Sequence, residues 1–289
     1  MVRGELGDAP FRLAEGFDIL VAMKTSFGFF GAGKMAEGIL AAAVKAGVDP
    51  QTVLMAERVE TRAREMARRH KVRTTPDAAE VARSAKIIFL AVRPQDAAEL
   101  AAGVKPLLTE KHLLVSIVAG KSIATLRKMF GAKARMVRVM PNLALRAGEG
   151  MCAVCGAKNA TSADVRKVEK ILGAAGRTAI LAEKHFDAVT ALSGSGPAFF
   201  AFMEEAMAEG GRALGLPADA ARILAEQTML GTAAYLRQSG ADLGEFISGV
   251  ATPGGTTAAG MDVMRASDFK KIVAATLAAA AKRSQELGG

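Results

Sequence analysis

Three small residues at fixed spacing carry the clearest chemical signal in this chain. Gly31-Ala32-Gly33-Lys34-Met35-Ala36 reads G-x-G-x-x-A and follows directly on the apolar run 25–30. Each small position has a physical duty in holding a dinucleotide. Gly31 permits the tight turn, Gly33 lets the backbone approach a pyrophosphate, and Ala36 lets the next helix pack close to the strand. The helix N-terminus then offers free N–H groups to the anion. The spacing alone is a weak signal, but a strand before it and a helix after it supply the context that the motif needs. An ordinary glycine-rich turn is the plainer alternative, and the next strand argues against it. Glu57 stands at the end of the run 52–56, about 20 residues beyond the loop, where a carboxylate accepts hydrogen bonds from the adenosine ribose and favours NADH. Arg58 follows at once and offers a guanidinium to a 2′-phosphate, which favours NADPH; a solvated helix start is its plain reading. The sequence leaves the two cofactors, NAD and NADP, open.

A second cluster, Val250-Ala251-Thr252-Pro253-Gly254-Gly255-Thr256-Thr257, lies between helices and leads into the helical stretch 258–264. Backbone N–H groups and hydroxyls in such a loop can grip a carboxylate. The same residues suit an N-cap and a turn, and both readings stand together. Ser193-Gly194-Ser195-Gly196-Pro197 precedes the helix 198–214. It follows no strand, and Ser195 lies outside a nucleophile elbow, so it reads as a loop and cap at the border of a site. Cys152 and Cys155 have C-x-x-C spacing, which invites a redox or zinc reading. The stretch 150–156 alternates like a strand, however, and places the two thiols on opposite faces. His70, His112 and His185 are scattered, so no metal is expected, and two packed thiols in a reducing compartment are the better account.

Strands and helices must position these residues. The runs 25–30, 52–56, 86–91, 113–118, 137–140, 151–154 and 178–181 read as strands, with helices over 35–46 and 59–70 between them. Nearly continuous apolar strands separated by helices imply a parallel sheet covered on both faces. Beyond about residue 184 strand signals vanish, and helices are expected over 188–192, 198–214, 218–239 and 269–286. Small residues on their faces (Ala206, Ala208, Gly210, Gly211, Ala213) allow close packing, also against a second copy of the chain. The expected architecture is therefore α/β. A loosely ordered leader spans 1–22, with Met23 opening the patterned sequence. A Rossmann dinucleotide-binding domain spans 23–184, and an all-α domain for dimerisation and substrate spans 185–289.

Composition excludes several function classes. With 289 residues, 51% hydrophobic, the chain is long enough for one large or two modest cores. No Trp and a single Tyr argue against a protein that stacks nucleic-acid bases. The net charge of +9 suits an anionic ligand, but most of the excess reads as solvated surface. The densest basic run (Arg62, Arg64, Arg68, Arg69, Lys71) is interleaved with Glu60 and Glu65. No apolar run approaches the roughly 20 residues that span a bilayer. The first 22 residues carry Glu5, Asp8, Glu15 and Asp18 and lack the apolar centre of a secretory signal. A cytoplasmic chain without membrane or nucleic-acid partners is expected.

Taken together, the motifs resemble pyrroline-5-carboxylate reductases from about Met23 to the end. The marks are Gly28-Phe29-Phe30-Gly31-Ala32-Gly33-Lys34-Met35-Ala36, Leu90-Ala91-Val92-Arg93-Pro94, Val118-Ala119-Gly120 and Arg138-Val139-Met140-Pro141-Asn142. Leu192-Ser193-Gly194-Ser195-Gly196-Pro197-Ala198 and Thr252-Pro253-Gly254-Gly255-Thr256-Thr257 complete them and are the most specific. The resemblance implies a Rossmann domain and a helical domain that dimerises by interlacing, with dimers commonly assembled into rings of five. It implies NAD(P)H-dependent reduction of 1-pyrroline-5-carboxylate to L-proline, the last step of proline biosynthesis. Gly31, Ala32, Gly33, Lys34 and Met35 then meet the pyrophosphate, Glu57 and Arg58 the adenosine ribose, and Ala91, Val92, Arg93, Pro94 and Ala119 the nicotinamide side. Glu183, Gly249, Val250, Thr252, Gly255, Thr256 and Thr257 border the substrate, with Thr257 near the ring nitrogen or carboxylate and the candidate catalytic residue. Ala78 stands where the family usually has an Asn on the cofactor, and Gly249 where an amide residue often borders the substrate. Each departure removes a hydrogen bond typically worth ~1 kcal/mol. Three rival readings remain beside this one. A reductase of another cyclic imine is not separated by the sequence. A hydroxyacid dehydrogenase needs a Lys in the helix 198–214, which has none. A dinucleotide-binding regulator without turnover leaves the loop 252–257 unexplained.

Overall fold

The apolar runs between polar helices become the strands of one nine-stranded sheet. The computed structural model describes residues 12–13 and 26–288. The first unit of the chain carries β1 (Arg12–Leu13), β2 (Phe27–Phe30), α1 (Lys34–Lys45), β3 (Val53–Ala56), α2 (Glu60–His70), β4 (Arg73–Thr75) and α3 (Ala78–Ser84). It continues with β5 (Ile87–Leu90), α4 (Ala97–Val104), β6 (Leu113–Ser116), α5 (Ile123–Phe130), β7 (Arg135–Pro141), β8 (Gly150–Gly156), α6 (Ser162–Gly173), β9 (Gly176–Ile180) and α7 (Phe186–Val189). The sheet order is β1-β9-β8-β7-β6-β5-β2-β3-β4. From β4 to β7 all neighbours run parallel. Counted from β2, this is the 3-2-1-4-5-6 order of the doubly wound dinucleotide fold.

The sheet is not parallel throughout, as the apolar runs had suggested. β8 runs antiparallel to β7, and β1 antiparallel to β9. The reason is the connection 142–149, a single 3-10 segment (Leu143–Ala147) closed by Gly148 at φ +79°. A parallel return needs a crossover of a dozen residues or more. Of the expected leader 1–22, Arg12–Leu13 form the edge strand β1; its other residues, and Met23, lie outside the described residues.

Both faces of the sheet are covered, which is why its strands read as unbroken apolar runs. Phe27, Phe29, Met55, Phe89 and Val115 face one core with Ile39 and Leu40 of α1 and Ile171 of α6. Phe30, Leu54, Ile88, Leu90 and Leu114 face the other with Val81 of α3, Val104 of α4 and Leu126 of α5. Each such fully buried side chain contributes roughly 1.5–3 kcal/mol. Cys152 joins the first core and Cys155 packs on the second, on opposite faces as the strand alternation requires.

The chain divides into two compact units: residues up to Ser195 together with Ala280 onward, and Gly196–Ala279. The first unit therefore runs past the expected border at residue 184, through a π-helical turn at Thr190–Gly194. The second holds α8 (Gly196–Ala213), α9 (Ala218–Ser239), α10 (Leu243–Val250), α11 (Thr256–Ala266) and the first half of α12 (Phe269–Gly288). Helices α8 and α9 approach closely at Gly211, where an added Cβ would stand 3.4 Å from that of Ala221. Within this unit only Gly196 and Ala221 are buried among the described residues. Phe202 is 72% exposed and Leu214 89%. So extended an uncovered apolar surface marks an interaction face.

Candidate functional site

The parallel strands end along one edge of the sheet, and they bring most of the expected cofactor residues there. β2 ends in Gly31–Gly33, β3 in Glu57 and Arg58, and β5 in Ala91–Pro94; beyond the end of β6 lies Ala119. Ala78 opens α3 after β4. Between β2 and β5 the chain departs in opposite directions, and such a switch point leaves the crevice where dinucleotides bind.

The glycine loop shows two different needs for glycine. Gly31 has φ +96°, and a Cβ there would lie 2.6 Å from the carbonyl oxygen of Ala91. Gly33 has ordinary angles, and a Cβ there would meet nothing within 4 Å. It caps α1 without any side-chain hydrogen bond, so the first N–H groups of the helix face an open cradle. That cradle fits a pyrophosphate. Lys34 is exposed, and Met35 is half-buried against the core.

Side chains from the end of β3 and from α2 fix the loop at Ala32. Its N–H donates to Glu57 Oε2 at 3.2 Å, and its carbonyl accepts from Arg62 Nε at 2.7 Å. Glu57 Oε1 accepts from the Val59 N–H at 2.9 Å. Two backbone donors therefore hold the Glu57 carboxylate beside the loop. The Arg58 guanidinium lies 2.8 Å from Glu99, with both side chains exposed. Such an exposed pair is weak, on the order of 0–1 kcal/mol, and leaves Arg58 free to turn to a ligand.

Arg62 also reaches Glu37 at 2.9 Å and Glu65 at 2.7 Å. Glu37, 6% exposed in the first turn of α1, accepts from Arg69 as well and pairs with His70. Burial opposes its ionisation, but hydrogen bonds from Arg62, His70 and Arg69 and the charge of Arg62 outweigh it, holding the carboxyl down at about 2. Sequence reasoning treated this basic run as solvated surface and missed Arg62 and Glu37. The signal was present: an acid four residues after Gly33, and arginines at helical spacing.

On the opposite side of the switch point, the Ala91 N–H donates to the Phe30 carbonyl at 2.9 Å, which ties β5 to the turn. Ala91, Val92, Pro94 and Ala119 are half-buried, while Arg93 is exposed and pairs with Asp96 at 2.8 Å. Ala78 is half-buried at the start of α3. Glu183 has firm partners inside the first unit. Its Oε1 accepts from the Ile123 N–H at 2.6 Å and from Arg138 at 2.9 Å, and Arg138 lies 4.7 Å over the Phe186 ring. This carboxylate anchors the start of α5.

The other expected substrate residues belong to the helical unit. Gly249 and Val250 end α10. A turn closes the loop after them, the Gly255 N–H donating to the Thr252 carbonyl at 2.9 Å, with Gly254 at φ +75°. Gly255 caps α11 without a side-chain hydrogen bond. The N-terminal N–H groups of α11 and the exposed hydroxyls of Thr256 and Thr257 thus form a second helix start capped by glycine, suited to a carboxylate. A Cβ on Gly249 would meet nothing within 4 Å, so the position offers room in place of an amide.

The free thiol of Cys152 is pushed up to about 12 by burial, and that of Cys155 also rises, first through burial and then through the nearby Glu183 charge. Neither is a thiolate near neutral pH, so neither is poised for redox or metal chemistry. No helix among the described residues is long and apolar enough to cross a membrane.

Comparisons with known proteins agree with this geometry. The family model for pyrroline-5-carboxylate reductase dimerisation matches residues 183–287, and that for coenzyme F420-dependent NADP oxidoreductases matches residues 26–120. A pyrroline-5-carboxylate reductase of Glycine max is 37% identical over 263 residues, covering 91% of this chain and 96% of the relative. A solved structure of a pyrroline-5-carboxylate reductase from Coxiella burnetii superposes with a TM-score of 0.87 at 28% identity, covering 92% of this chain and 99% of that one. The Plasmodium falciparum pyrroline carboxylate reductase with NADP bound gives 0.82 at 28% identity, with the same coverage.

Proposed function

The chain belongs to the pyrroline-5-carboxylate reductase family, and from that premise we propose how its residues divide the work. It is an NAD(P)H-dependent oxidoreductase that reduces the C=N bond of 1-pyrroline-5-carboxylate to give L-proline. When bound, the cofactor supplies the hydride. The protein's task is to orient two anionic molecules and exclude alternatives.

The observation that carries the division is the pair of helix starts capped by glycine among the described residues, at Gly33 and at Gly255, neither closed by a side-chain hydrogen bond. In our reading the first takes the pyrophosphate through the N–H groups of Lys34 and Met35, beside Gly31 and Ala32. Glu57 accepts from the adenosine ribose, and Arg58 turns to a 2′-phosphate when one is present. Ala78 borders the same end with no hydrogen bond of its own. Ala91, Val92, Arg93, Pro94 and Ala119 wall the nicotinamide side. The second start takes the substrate carboxylate through the N–H groups after Gly255 and the hydroxyls of Thr252, Thr256 and Thr257, with Gly249 and Val250 at its border. Glu183 acts from the first unit by fixing the start of α5. A protonated imine carbon is already electrophilic, so placement supplies most of the catalysis. The Thr257 hydroxyl stabilises the proton on the ring nitrogen.

The chain forms homo-oligomers. Dimerisation through the exposed apolar faces of the helical unit, assembly of dimers into rings of five, and a cytoplasmic location belong to the proposal. So does the division into a Rossmann domain up to about residue 184 and a helical domain after it. The test is oxidation of NADPH and NADH with 1-pyrroline-5-carboxylate, proline being identified as product. Thr257→Ala is expected to lower kcat/KM for the imine; wild-type kinetics in that variant would remove Thr257 from the mechanism. A folded protein that binds dinucleotide but turns over neither cofactor would overturn the whole reading.

A further inference from the structure

We infer that the C-terminal end of α12 is a built part of the cofactor site, with Ser284 as the residue that positions its nicotinamide end. The inference rests on the reading that Ala119 borders the nicotinamide.

Residues from Ala280 onward belong to the compact unit of the sheet, although they end a helix that begins in the other unit. Two grips hold them there. Ser284 is only 4% exposed, and its hydroxyl donates to Asp187 Oδ1 at 2.7 Å, across 97 residues of sequence. Asp187 lies in α7, which runs straight into the π-helical turn at Thr190–Gly194. One turn further on, Leu287 lies against Gly120. A Cβ on Gly120 would stand 3.0 Å from the Leu287 Cβ, and Gly120 has φ +73°. Lys121 Nζ donates to the Leu287 carbonyl at 3.2 Å. The tail thus bridges α7 and the turn that follows β6.

A cavity of about 270 Å³ lies between these grips, with Ala119, Thr190, Ser195, Arg283 and Ser284 in its walls. Among the described residues, neither of the two core clusters contains a residue of the tail, so its docking adds nothing to them. Its contacts fall instead on the residues beside Ala119. A buried hydroxyl bound to a carboxylate fixes direction as well as distance, and loss of it leaves the Asp187 charge short of a partner. Ser284 therefore sets where the tail's share of the wall around Ala119 stands.

The test compares nucleotides that share the adenosine and pyrophosphate ends but differ at the nicotinamide. Dissociation constants of the full-length protein are measured for NADPH against 2′-phospho-ADP-ribose, and for NADH against ADP-ribose. Ser284→Ala is expected to weaken binding of the nicotinamide forms about tenfold and the truncated forms by less than about twofold; Ser284→Thr, which keeps the hydroxyl, restores both. Lys121→Met loosens the other grip at a half-buried position and shifts the same comparison in the same direction, even if Ser284→Ala does not fold. Equal weakening of whole and truncated nucleotides, or no weakening of either, overturns the inference. Wild-type turnover of the imine is measured on the same preparation. Its absence would refute the reaction while leaving the nucleotide comparison to judge the tail.

Discussion

Gly31 and Gly33 are two residues apart in one motif, yet the structure assigns them separable penalties. Gly31→Ala places a Cβ 2.6 Å from the Ala91 carbonyl oxygen, and the backbone is already at φ +96°. Left-handed backbone costs a non-glycine residue roughly 1–2 kcal/mol. Overpacking against backbone adds roughly 1–3 kcal/mol. The variant is therefore expected to lose about 2–5 kcal/mol of stability. Gly33→Ala meets no atom within 4 Å and needs no unusual angle. Its folding penalty is that of Ala for Gly at an N-cap, about 0.5–1 kcal/mol. The added methyl instead enters the cradle, where each lost charge-assisted hydrogen bond to the pyrophosphate costs about 1.5–3 kcal/mol, or roughly 10- to 150-fold in affinity. Denaturant titration of both variants, with cofactor fluorescence for affinity, separates the two penalties. A Gly33→Ala protein that binds NAD(P)H as the wild type does would show that the pyrophosphate does not approach there. A Gly31→Ala protein of wild-type stability would refute the close contact with Ala91.

The carboxylate fixed beside Ala32 sets a cofactor test. Glu57→Gln is expected to lower kcat/KM for NADH about tenfold while leaving NADPH within about twofold, and Arg58→Met to do the reverse; equal changes for both cofactors would deny either residue a role at the ribose. Glu37 makes stability depend on acid. Its folded pKa of about 2 lies below the ordinary 4.5, so its contribution is complete above about 4.5 and is lost as pH falls towards 2. Glu37→Gln should flatten the fall of denaturant midpoint over that window, and an unchanged slope would mean that the Arg62 network carries no stability. Phe202, 72% exposed on α8, is expected to lie in the dimer contact. Phe202→Glu should shift the sedimenting species towards monomer, and an unaltered species would place the contact elsewhere.

The sheet was legible because burial on both faces writes long apolar runs, and the glycine loop because only small residues satisfy its geometry. Strands 86–91 and 113–118 were placed to within two residues of β5 and β6, and helix 218–239 coincides with α9. Part of what stayed hidden was written in polar residues, although the apolar helices α4 and α10 were also not placed. β4 is a short edge strand, Arg-Thr-Thr, with no apolar run. The reversal at β8 depends on the length of a connection rather than on the strand itself. Helix α6 was marked by a capping box at Thr161 and Asp164, but its helical face is half charged.

The site follows the same division. Residues that act through backbone, Gly31, Gly33 and Gly255, are legible, because the absence of a side chain is itself the signal. Residues that act through long-range partners are not legible from local pattern, and Glu183 was named only through the family resemblance. Arg62 reaches Ala32 across 30 residues, Glu183 reaches Ile123 across 60, and Ser284 reaches Asp187 across 97. A local pattern such as arginines at helical spacing can mark the run but not the partner, since the partner exists only once the sheet has formed. A reductase whose cofactor carries the reactive hydride can dispense with a conspicuous catalytic acid or base. On the proposed division of roles its specificity rests on such polar contacts, and substitutions at Arg62, Glu57 and Ser284 should redistribute cofactor affinity, read as dissociation constants for NADH and NADPH, before they abolish turnover.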